Sequence, residues 1–295
     1  MKSQLKGSLY ILASAVFFGT YGIWSKMMSG VFDDFFQGWT RSLIILCILA
    51  PIGILTKSFR KIKKEDFKWH ALYAFPGSLV IPLYYYAFTH LSIGTATLTF
   101  YASLTITSYI LGFAFFKEKV SWAKIVSLIL GICGLCAIYA LSVSINPTLG
   151  LPLAISVLAG VCGGIEVVFT KRLSDRYSPI QLTFFLFAVS FILCLSIYLG
   201  LHHFIIVLPA SPIAWTGTIM HAIASTAAFF LVVLGYKNIE PSVGGIVGLM
   251  EIVFGIFFGF LFFHEVLSTS VIIGGALIIV AAALPNIAEL RKLSV

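Results

Sequence analysis

The sequence predicts an all-α integral membrane protein with ten transmembrane helices, arranged as two inverted repeats of five helices each. Three observations support this fold class: the composition, the length of the apolar segments and an internal repeat. Of the 295 residues, 60% are hydrophobic and only 10% are charged, and the mean hydropathy is +1.05. A chain of this size with so few polar residues cannot cover a water-soluble domain, which indicates a membrane protein.

The apolar segments have the length of transmembrane helices. A bilayer core about 30 Å thick requires roughly 20 apolar residues in a helix, whereas a membrane barrel would show alternating segments of about 10 residues. The first segment is expected to remain a span and not to be cleaved as a signal peptide, because it continues well beyond Ala13-Ser14-Ala15. The ten predicted spans are 7–28, 34–56, 68–89, 95–116, 121–141, 150–170, 179–200, 211–236, 242–263 and 268–288.

Lysine and arginine occur almost only in every second gap between these spans. By the positive-inside rule, both termini are therefore expected in the cytoplasm. The net charge of +8 reflects this bias and does not indicate a nucleic-acid-binding face. The basic gaps and termini contain Lys2, Lys6, Lys57, Arg60, Lys61, Lys63, Lys64, Lys68, Lys117, Lys119, Lys124, Lys171, Arg172, Arg176, Lys237, Arg291 and Lys292. The other gaps contain Asp33, Asp34, His90, His202, His203, His264 and Glu265, with Lys26 close by.

An internal repeat relates the two parts of the chain. The stretch that starts at Gly94 returns near Ser242. The closest match pairs Phe115-Phe116-Lys117-Glu118 with Phe262-Phe263-His264-Glu265, and each block closes one long span just before the next. This similarity predicts that the two parts fold in the same way.

A weaker similarity between Gly19–Lys26 and Gly164–Lys171 extends the repeat towards the start of each part. Each repeat then holds five spans. Because five is an odd number, the second copy enters the membrane from the opposite side, as in many secondary transporters. The expected halves are residues 1–145 and 146–295.

In these features the chain resembles the drug/metabolite transporter superfamily, and specifically its EamA family. Each half looks like the family's pattern, in which an apolar helix ends in a Phe-Phe-x-Glu block and is followed by a short polar turn and a glycine-bearing closing helix. The second copy, with Gly248–Glu251 followed by Phe262–Glu265, is the closer match. The family often places a proline in the fourth and ninth spans, whereas this chain has Leu104–Ile106 and Glu251–Val253 there. No proline-induced helix break is therefore expected.

The resemblance implies a ten-helix bundle around a central cavity that is exposed alternately to each side of the membrane. Relatives move amino acids, sugars, nucleotide conjugates, quaternary amines and other small metabolites. Independently of the family, inverted repeats permit two near-equivalent packings of one chain. The expected location is a bacterial cell membrane, and the expected partners are lipid and a small-molecule substrate, with no cofactor, metal or nucleic acid.

Few ionisable residues fall inside the predicted spans. A charge near the bilayer centre costs at least about 2.5 kcal/mol on insertion scales, so such residues usually face protein or water. Counted from the span midpoints, two of them lie within about one helical turn of the membrane centre, and two lie roughly 6 to 8 Å away on opposite sides. The central pair is Glu251 and His221, and the outlying pair is Arg41 and Glu166. All four are candidates to line one cavity.

Glu251 is the strongest of these candidates. Its span is rich in glycine, which allows neighbouring helices to approach closely. A carboxyl in this setting can carry a proton in coupled transport or bind a cationic amine. The alternative is a protonated glutamate that donates one hydrogen bond to the backbone. The glycines of the Glu251 span are Gly244, Gly245, Gly248, Gly255 and Gly259. Glu166 has the same two interpretations as Glu251. A position one or two turns further along the helix would place it among the basic residues Lys171 and Arg172.

Arg41 and His221 each have a functional and a structural interpretation. The guanidinium of Arg41 can clamp a substrate carboxylate through two parallel hydrogen bonds. It can equally extend to the outer headgroups or pair with Asp33 or Asp34. His221 is either a proton relay or an interior histidine with satisfied hydrogen bonds.

Tyrosine and threonine side chains form a second group of candidates. Tyr84 follows Pro76 and Pro82 in a span that is predicted to be kinked. Tyr101 and Thr105 are four residues apart on one face of the next span. Aromatic residues of this kind can stack on a planar ring or surround a quaternary ammonium. The alternative is ordinary packing at the membrane interface.

Enzyme signatures are missing from the sequence. His264-Glu265 begins like a zinc-binding helix, but Ser268 occupies the place of the second histidine. There is also no Gly-x-Ser-x-Gly elbow or phosphate-binding glycine loop. The chain is therefore not expected to be an enzyme, and no catalytic residue is assigned.

The expected function is secondary transport of a small polar or zwitterionic metabolite, with an amino acid as the first choice and export favoured. Proton coupling, if present, is assigned to Glu251. The alternative is an uptake transporter for a cationic amine, a sugar or a nucleotide-like metabolite. The predicted substrate-binding residues are Arg41, Tyr84, Tyr101, Thr105, Glu166, His221 and Glu251.

Overall fold

The computed structural model describes residues 2–139 and 149–291, which form helices joined by loops. A short 3-10 helix, Lys64–Asp66, precedes α4. The predicted boundary between the halves, 145/146, lies outside the described residues, as do Lys292 and the end of the predicted 121–141 span. In the described ranges the α-helices are α1 (Lys2–Gly19), α2 (Tyr21–Met28), α3 (Asp34–Leu55), α4 (Phe67–His90), α5 (Ile93–Phe116), α6 (Trp122–Tyr139), α7 (Gly150–Ser174), α8 (Pro179–Leu201), α9 (Pro212–Asn238), α10 (Pro241–Gly248), α11 (Met250–Phe263) and α12 (Thr269–Arg291).

These helices provide ten crossings within the described residues. The pair α1 and α2 forms one crossing, Ser3–Met28, and the pair α10 and α11 forms another, Pro241–Phe263. Nine of the crossings are long and apolar enough to span a membrane by composition alone. The tenth, α4, is less apolar but has 24 residues, which is about 36 Å of helix. It packs mainly against α7 and α8, which shield it from lipid.

The helix contacts repeat in the way that two inverted halves require. The third crossing (α4) packs on the sixth (α7), and correspondingly the eighth (α9) packs on the first (α1). The fourth (α5) also packs on α7, as the ninth (α10 and α11) packs on α1. The second and seventh crossings (α3 and α8) pack on each other, as do the fifth and tenth (α6 and α12). The predicted all-α fold of two inverted repeats is confirmed.

Two crossings are interrupted without a proline at the break, the first at Thr20 and the ninth at Leu249. The fourth crossing is one continuous helix, as the sequence predicts, but the ninth is broken at Leu249 between α10 and α11. The Leu249 N–H bonds to the carbonyl of Ile246 at 3.1 Å, a tighter turn than the α-helical one. Glycine lowers helix stability, so Gly244, Gly245 and Gly248 explain the break where a proline would otherwise be needed.

Close contact between α5 and α7 depends on Gly160. A Cβ atom at this position would collide with the carbonyl oxygen of Phe100 and the hydroxyl of Ser103. We expect Gly160→Ala to lower the free energy of unfolding by about 1 to 3 kcal/mol, the usual cost of overpacking. The measurement is the melting temperature of the purified protein in detergent.

The matched control is Gly275→Ala in α12, where no heavy atom lies within 4 Å of the added Cβ. This change is expected to leave the melting temperature unchanged or to raise it slightly, because alanine restricts the unfolded chain more than glycine does. Equal destabilisation by the two substitutions would contradict the packing of α5 against α7.

Candidate functional site

A cavity of about 850 Å³ lies between the two halves. Its wall combines side chains from both repeats and includes residues of all twelve α-helices α1 to α12. This volume is in the upper part of the range for small-molecule sites, which is about 300 to 1,000 Å³. The cavity is therefore large enough for a small metabolite with its water molecules.

Among the described residues, the cavity wall extends to the helix ends on one face of the bundle. We call the face with the basic loops 57–66, 117–121 and 175–178 the basic face. The cavity wall extends to Ser25, Ile93, Glu265 and Val271, which lie at helix ends on the face opposite to it. If the basic face is cytoplasmic, as the charge bias predicts, the cavity is open to the outside.

Contacts between the two halves close the basic face. The carboxylate of Asp66 accepts hydrogen bonds from Arg176 Nη1 at 2.6 Å and from the Tyr177 hydroxyl at 2.9 Å. Nearby, the Ser178 hydroxyl donates to the carbonyl of Ser58 at 2.9 Å. Two loops from different halves are thereby held together on this face.

Six of the seven residues that the sequence predicts for substrate binding line this cavity. Thr105 is the exception and requires a correction, because its side chain is completely buried. A residue four positions along a helix is displaced by about 40°, and this rotation turns Thr105 away from the wall that Tyr101 and Leu104 form. The six lining residues are Arg41, Tyr84, Tyr101, Glu166, His221 and Glu251.

Arg41 and His221 form a contact that joins the two halves. Arg41 Nη1 lies 2.9 Å from His221 Nε2, and both side chains are buried. A guanidinium can only donate, so Nε2 must accept and the imidazole proton lies on Nδ1. Arg41 Nε and His221 Nδ1 then both carry protons, and neither has a hydrogen-bond partner among the described residues. Tyr21 covers this pair, with its ring centre 5.9 Å from the guanidinium.

Three charged groups of the cavity wall, those of Arg41, Glu166 and Glu251, lack counterions among the described residues. In the described part of the chain, no carboxylate lies within ion-pair distance of Arg41, and no basic group lies that close to Glu166 or Glu251. Burying an unpaired charge is costly, and such groups within a membrane usually face a substrate or ion pathway. This wall is therefore arranged for a charged or strongly polar ligand.

Glu251 lies beside an aromatic wall. It occupies the first turn of α11, directly after the break at Leu249. The Tyr101 hydroxyl is close enough to this carboxyl to interact with it electrostatically. Tyr84 stacks on Phe100 with ring centres 4.3 Å apart, and this pair continues the wall. A cation near Glu251 would meet both a carboxylate and aromatic faces.

Glu166 forms a deeper part of the wall. It lies on α7, eight residues before the basic end of that helix at Ser174. A Cβ atom at Gly77 of α4 would lie 2.8 Å from Glu166 Cγ, so the glycine leaves the space that this side chain occupies. Glu166 and Arg41 are thus at different depths, as the sequence predicts.

Two lining tyrosines, Tyr139 and Tyr236, were missed by sequence reasoning. Tyr139 ends α6 near the opening, and Tyr236 lies near the basic end of α9. The signal that identifies Tyr84 and Tyr101, a phenolic hydroxyl inside an apolar span, is present at both positions. It does not say which side of the helix faces the cavity.

The fold and the cavity together define a membrane transporter: inverted five-span halves surround a chamber lined by Arg41, Glu166 and Glu251, which have no ion-pair partner among the described residues. The chain belongs to the EamA-like transporter family, whose profile matches residues 5–140 and 149–287. The two matched stretches correspond to the two repeats.

Comparisons with individual proteins agree with this family. An uncharacterized transporter of Clostridium kluyveri is 30% identical over 141 residues, which is 45% of this chain and 44% of that protein. The chain thus matches less than half the length of this relative. A solved crystal structure has a TM-score of 0.80 at 16% identity and covers 95% of this chain and 98% of its own. That similarity concerns the fold alone.

Proposed function

We propose that this transporter exports a zwitterionic amino acid by alternating access. The observation that carries the proposal is a pair of oppositely charged side chains, one on each half, that have no ion-pair partner among the described residues. Arg41 belongs to the first half and Glu251 to the second, and both line the same cavity. A ligand with a carboxylate and an ammonium group supplies the missing partner of each.

The carboxylate of the ligand is assigned to Arg41. Guanidinium groups bind carboxylates through two parallel hydrogen bonds. The contact with His221 fixes the position of the guanidinium before the ligand arrives, which reduces the entropy lost on binding. The opening of the cavity gives a solute a path to this site from one face.

The ammonium group of the ligand is assigned to Glu251, beside the Tyr101 hydroxyl. Tyr21 interacts electrostatically with both Arg41 and Glu251 and lines the same cavity. One small zwitterion bound beside Tyr21 would contact both. Tyr84 and Phe100 add an apolar surface for the ligand's side chain.

The transport step is assigned to exchange of conformation between the inverted halves. The sequence has no phosphate-binding loop, so a solute or proton gradient is the proposed source of energy. Glu251 is the proposed proton-carrying residue, because it combines burial near the middle of its crossing with access from the cavity.

A second candidate function is uptake of a cationic amine. It is favoured by the aromatic rings of Tyr84, Phe88, Phe100 and Tyr101, which line the cavity on the side where Glu251 lies. A quaternary ammonium would use this wall without Arg41. Sugars and nucleotide-like metabolites lack the positive charge that makes the wall specific.

The first experiment is a thermal-stabilisation screen of the purified protein with amino acids, quaternary amines and sugars. A ligand at 100 times its dissociation constant stabilises a folded protein by about 2.7 kcal/mol, which raises the melting temperature. We expect an amino acid to give the largest shift, and we expect its amide and its N-acetyl derivative to give smaller shifts. Stabilisation by quaternary amines but by no amino acid would replace the first candidate with the second.

A further inference from the structure

The blocks that end α5 and α11 form the same structure on opposite faces of the membrane. The two helices end at Phe116 and Phe263. The next residues, Lys117 and His264, both have left-handed backbones, with φ values of 52° and 54°. This conformation is uncommon for residues other than glycine, so its occurrence at both equivalent positions indicates a shared turn.

In both turns a glutamate folds back over a glycine of the preceding helix. A Cβ atom at Gly112 would collide with the Glu118 carboxylate, and a Cβ atom at Gly259 would collide with the Glu265 carboxylate. The two glutamates are 147 positions apart in the sequence. The same separation relates the two glycines, so the repeats supply one carboxylate to each face.

On the basic face this carboxylate joins the two halves. Glu118 is buried, and it accepts a hydrogen bond from the Ser242 hydroxyl at the start of α10. Lys124 pairs with Glu118 at 3.1 Å and also with Glu240, which immediately precedes α10. The end of the fourth crossing is thereby fastened to the beginning of the ninth, on the face where the cavity is closed.

On the opposite face the equivalent carboxylate is not fastened in this way. The Glu265 side chain is 55% exposed and pairs with Lys26 at 2.8 Å. It lines the mouth of the cavity. The repeat places Thr95, near the start of α5, where Ser242 lies in the other half, and places Val271 where Lys124 lies. Where the cavity is shut, one glutamate is thus bound to the start of α10; where the cavity is open, its counterpart is exposed and paired with Lys26 of α2.

We propose that Glu118 and Glu265 are alternating latches. Glu118 holds the basic face shut in the conformation described here; in the alternative conformation it releases Ser242, and Glu265 engages the start of α5 at Thr95. Because Val271 cannot replace Lys124, Lys26 supplies the positive charge on that side and stays paired with Glu265. The inference rests on the proposed alternating access but not on the identity of the substrate.

Cysteine cross-linking tests this geometry directly. The background replaces all five native cysteines, Cys47, Cys133, Cys136, Cys162 and Cys194. We expect the pair Glu118→Cys with Ser242→Cys to form a disulfide in the basic-face-closed state. We expect Thr95→Cys with Glu265→Cys to form one in the other state. The control pair, Glu118→Cys with Thr95→Cys, has its members on opposite faces and is expected to remain reduced.

A second measurement uses glutamine variants that keep the side-chain shape. A cysteine at Val232, which lines the cavity, reports which face admits a membrane-impermeant thiol reagent. Glu118→Gln is expected to raise labelling from the basic face relative to the opposite face by about tenfold. Loss of one charge-assisted hydrogen bond changes the equilibrium between the two conformations by about this factor. Glu265→Gln is expected to shift the same ratio in the reverse direction. Asp175→Asn, an exposed carboxylate at the end of α7 with no ion pair among the described residues, is the control without effect.

Shifts of the labelling ratio in opposite directions by Glu118→Gln and Glu265→Gln support the latch. A general loss of stability would not produce such opposite shifts. Shifts in the same direction, or no shift in either variant, would overturn the proposal, as would a Thr95 and Glu265 pair that never cross-links in protein that transports. If the cysteine pairs fail to fold, the glutamine variants decide alone. Neither measurement requires the substrate, so a failed latch and a failed substrate assignment are distinguishable.

Discussion

Replacing Arg41 with alanine is expected to weaken binding of the transported amino acid by about 30-fold or more, because removal of one partner of a buried charged pair costs about 2 kcal/mol or more. The melting temperature of the ligand-free protein is expected to stay the same or rise. Arg41 is buried without a carboxylate partner among the described residues, so its removal relieves the cost of an unpaired charge. Titration calorimetry and thermal unfolding measure the two effects.

This combination separates a binding residue from a packing residue. If Arg41 only held α3 to α9 through His221, the alanine variant would lower the melting temperature and leave affinity unchanged. Arg60→Ala is the matched control: Arg60 lies exposed on a basic loop and contacts Gln181 through its backbone. Removal of the Arg60 guanidinium is expected to change neither the affinity for the ligand nor the melting temperature.

Replacing Glu251 with glutamine is expected to weaken binding of the same amino acid by about tenfold or more, because the charge-assisted hydrogen bond to the ammonium group of the ligand is lost. The variant keeps the shape of the side chain and its place beside the Tyr101 hydroxyl. If Glu251 also carries the proton, transport into vesicles is expected to lose its response to an imposed pH gradient. Flux of the amino acid, measured with and without the gradient, checks this.

Two further variants show whether Glu251 is the specific residue. Glu65→Gln removes an exposed carboxylate from the short 3-10 helix on the basic face and is expected to leave affinity and pH response intact. Glu166→Gln removes the other unpaired carboxylate of the cavity wall. A pH response that disappears with Glu166→Gln but survives Glu251→Gln would assign the proton to the deeper residue and refute its assignment to Glu251.

The fold was predictable from the sequence because its determinants are local. The length of each apolar segment, the alternation of basic gaps and the odd number of spans in each repeat follow from the order of residues alone. The break at Leu249 was not anticipated, because the expectation depended on proline and the break arises from neighbouring glycines. The depth of Arg41 and Glu166 was also predictable, since depth follows from position within a helix.

What the sequence could not provide was the rotation of each helix and the partner of each side chain. Thr105 shares a face with Tyr101 by spacing, yet it is turned out of the cavity wall. For Arg41 the sequence left open a substrate carboxylate, the headgroups or an aspartate, and it did not indicate the contact with His221, which is 180 positions away. Lys26, near the outer gaps, pairs with Glu265 of the other half. Each of these contacts depends on how helices from different halves pack.

The most direct test of the two-charge site combines the two variants with two blocked ligands in titration calorimetry. The amide of the amino acid lacks the carboxylate, and the N-acetyl derivative lacks the ammonium group. The account predicts that Arg41→Ala weakens binding of the N-acetyl derivative and leaves binding of the amide unchanged. It predicts that Glu251→Gln weakens binding of the amide and leaves binding of the N-acetyl derivative unchanged. If each variant weakened both ligands equally, or neither weakened any, the assignment of opposite charges to the two ends of one zwitterion would be contradicted.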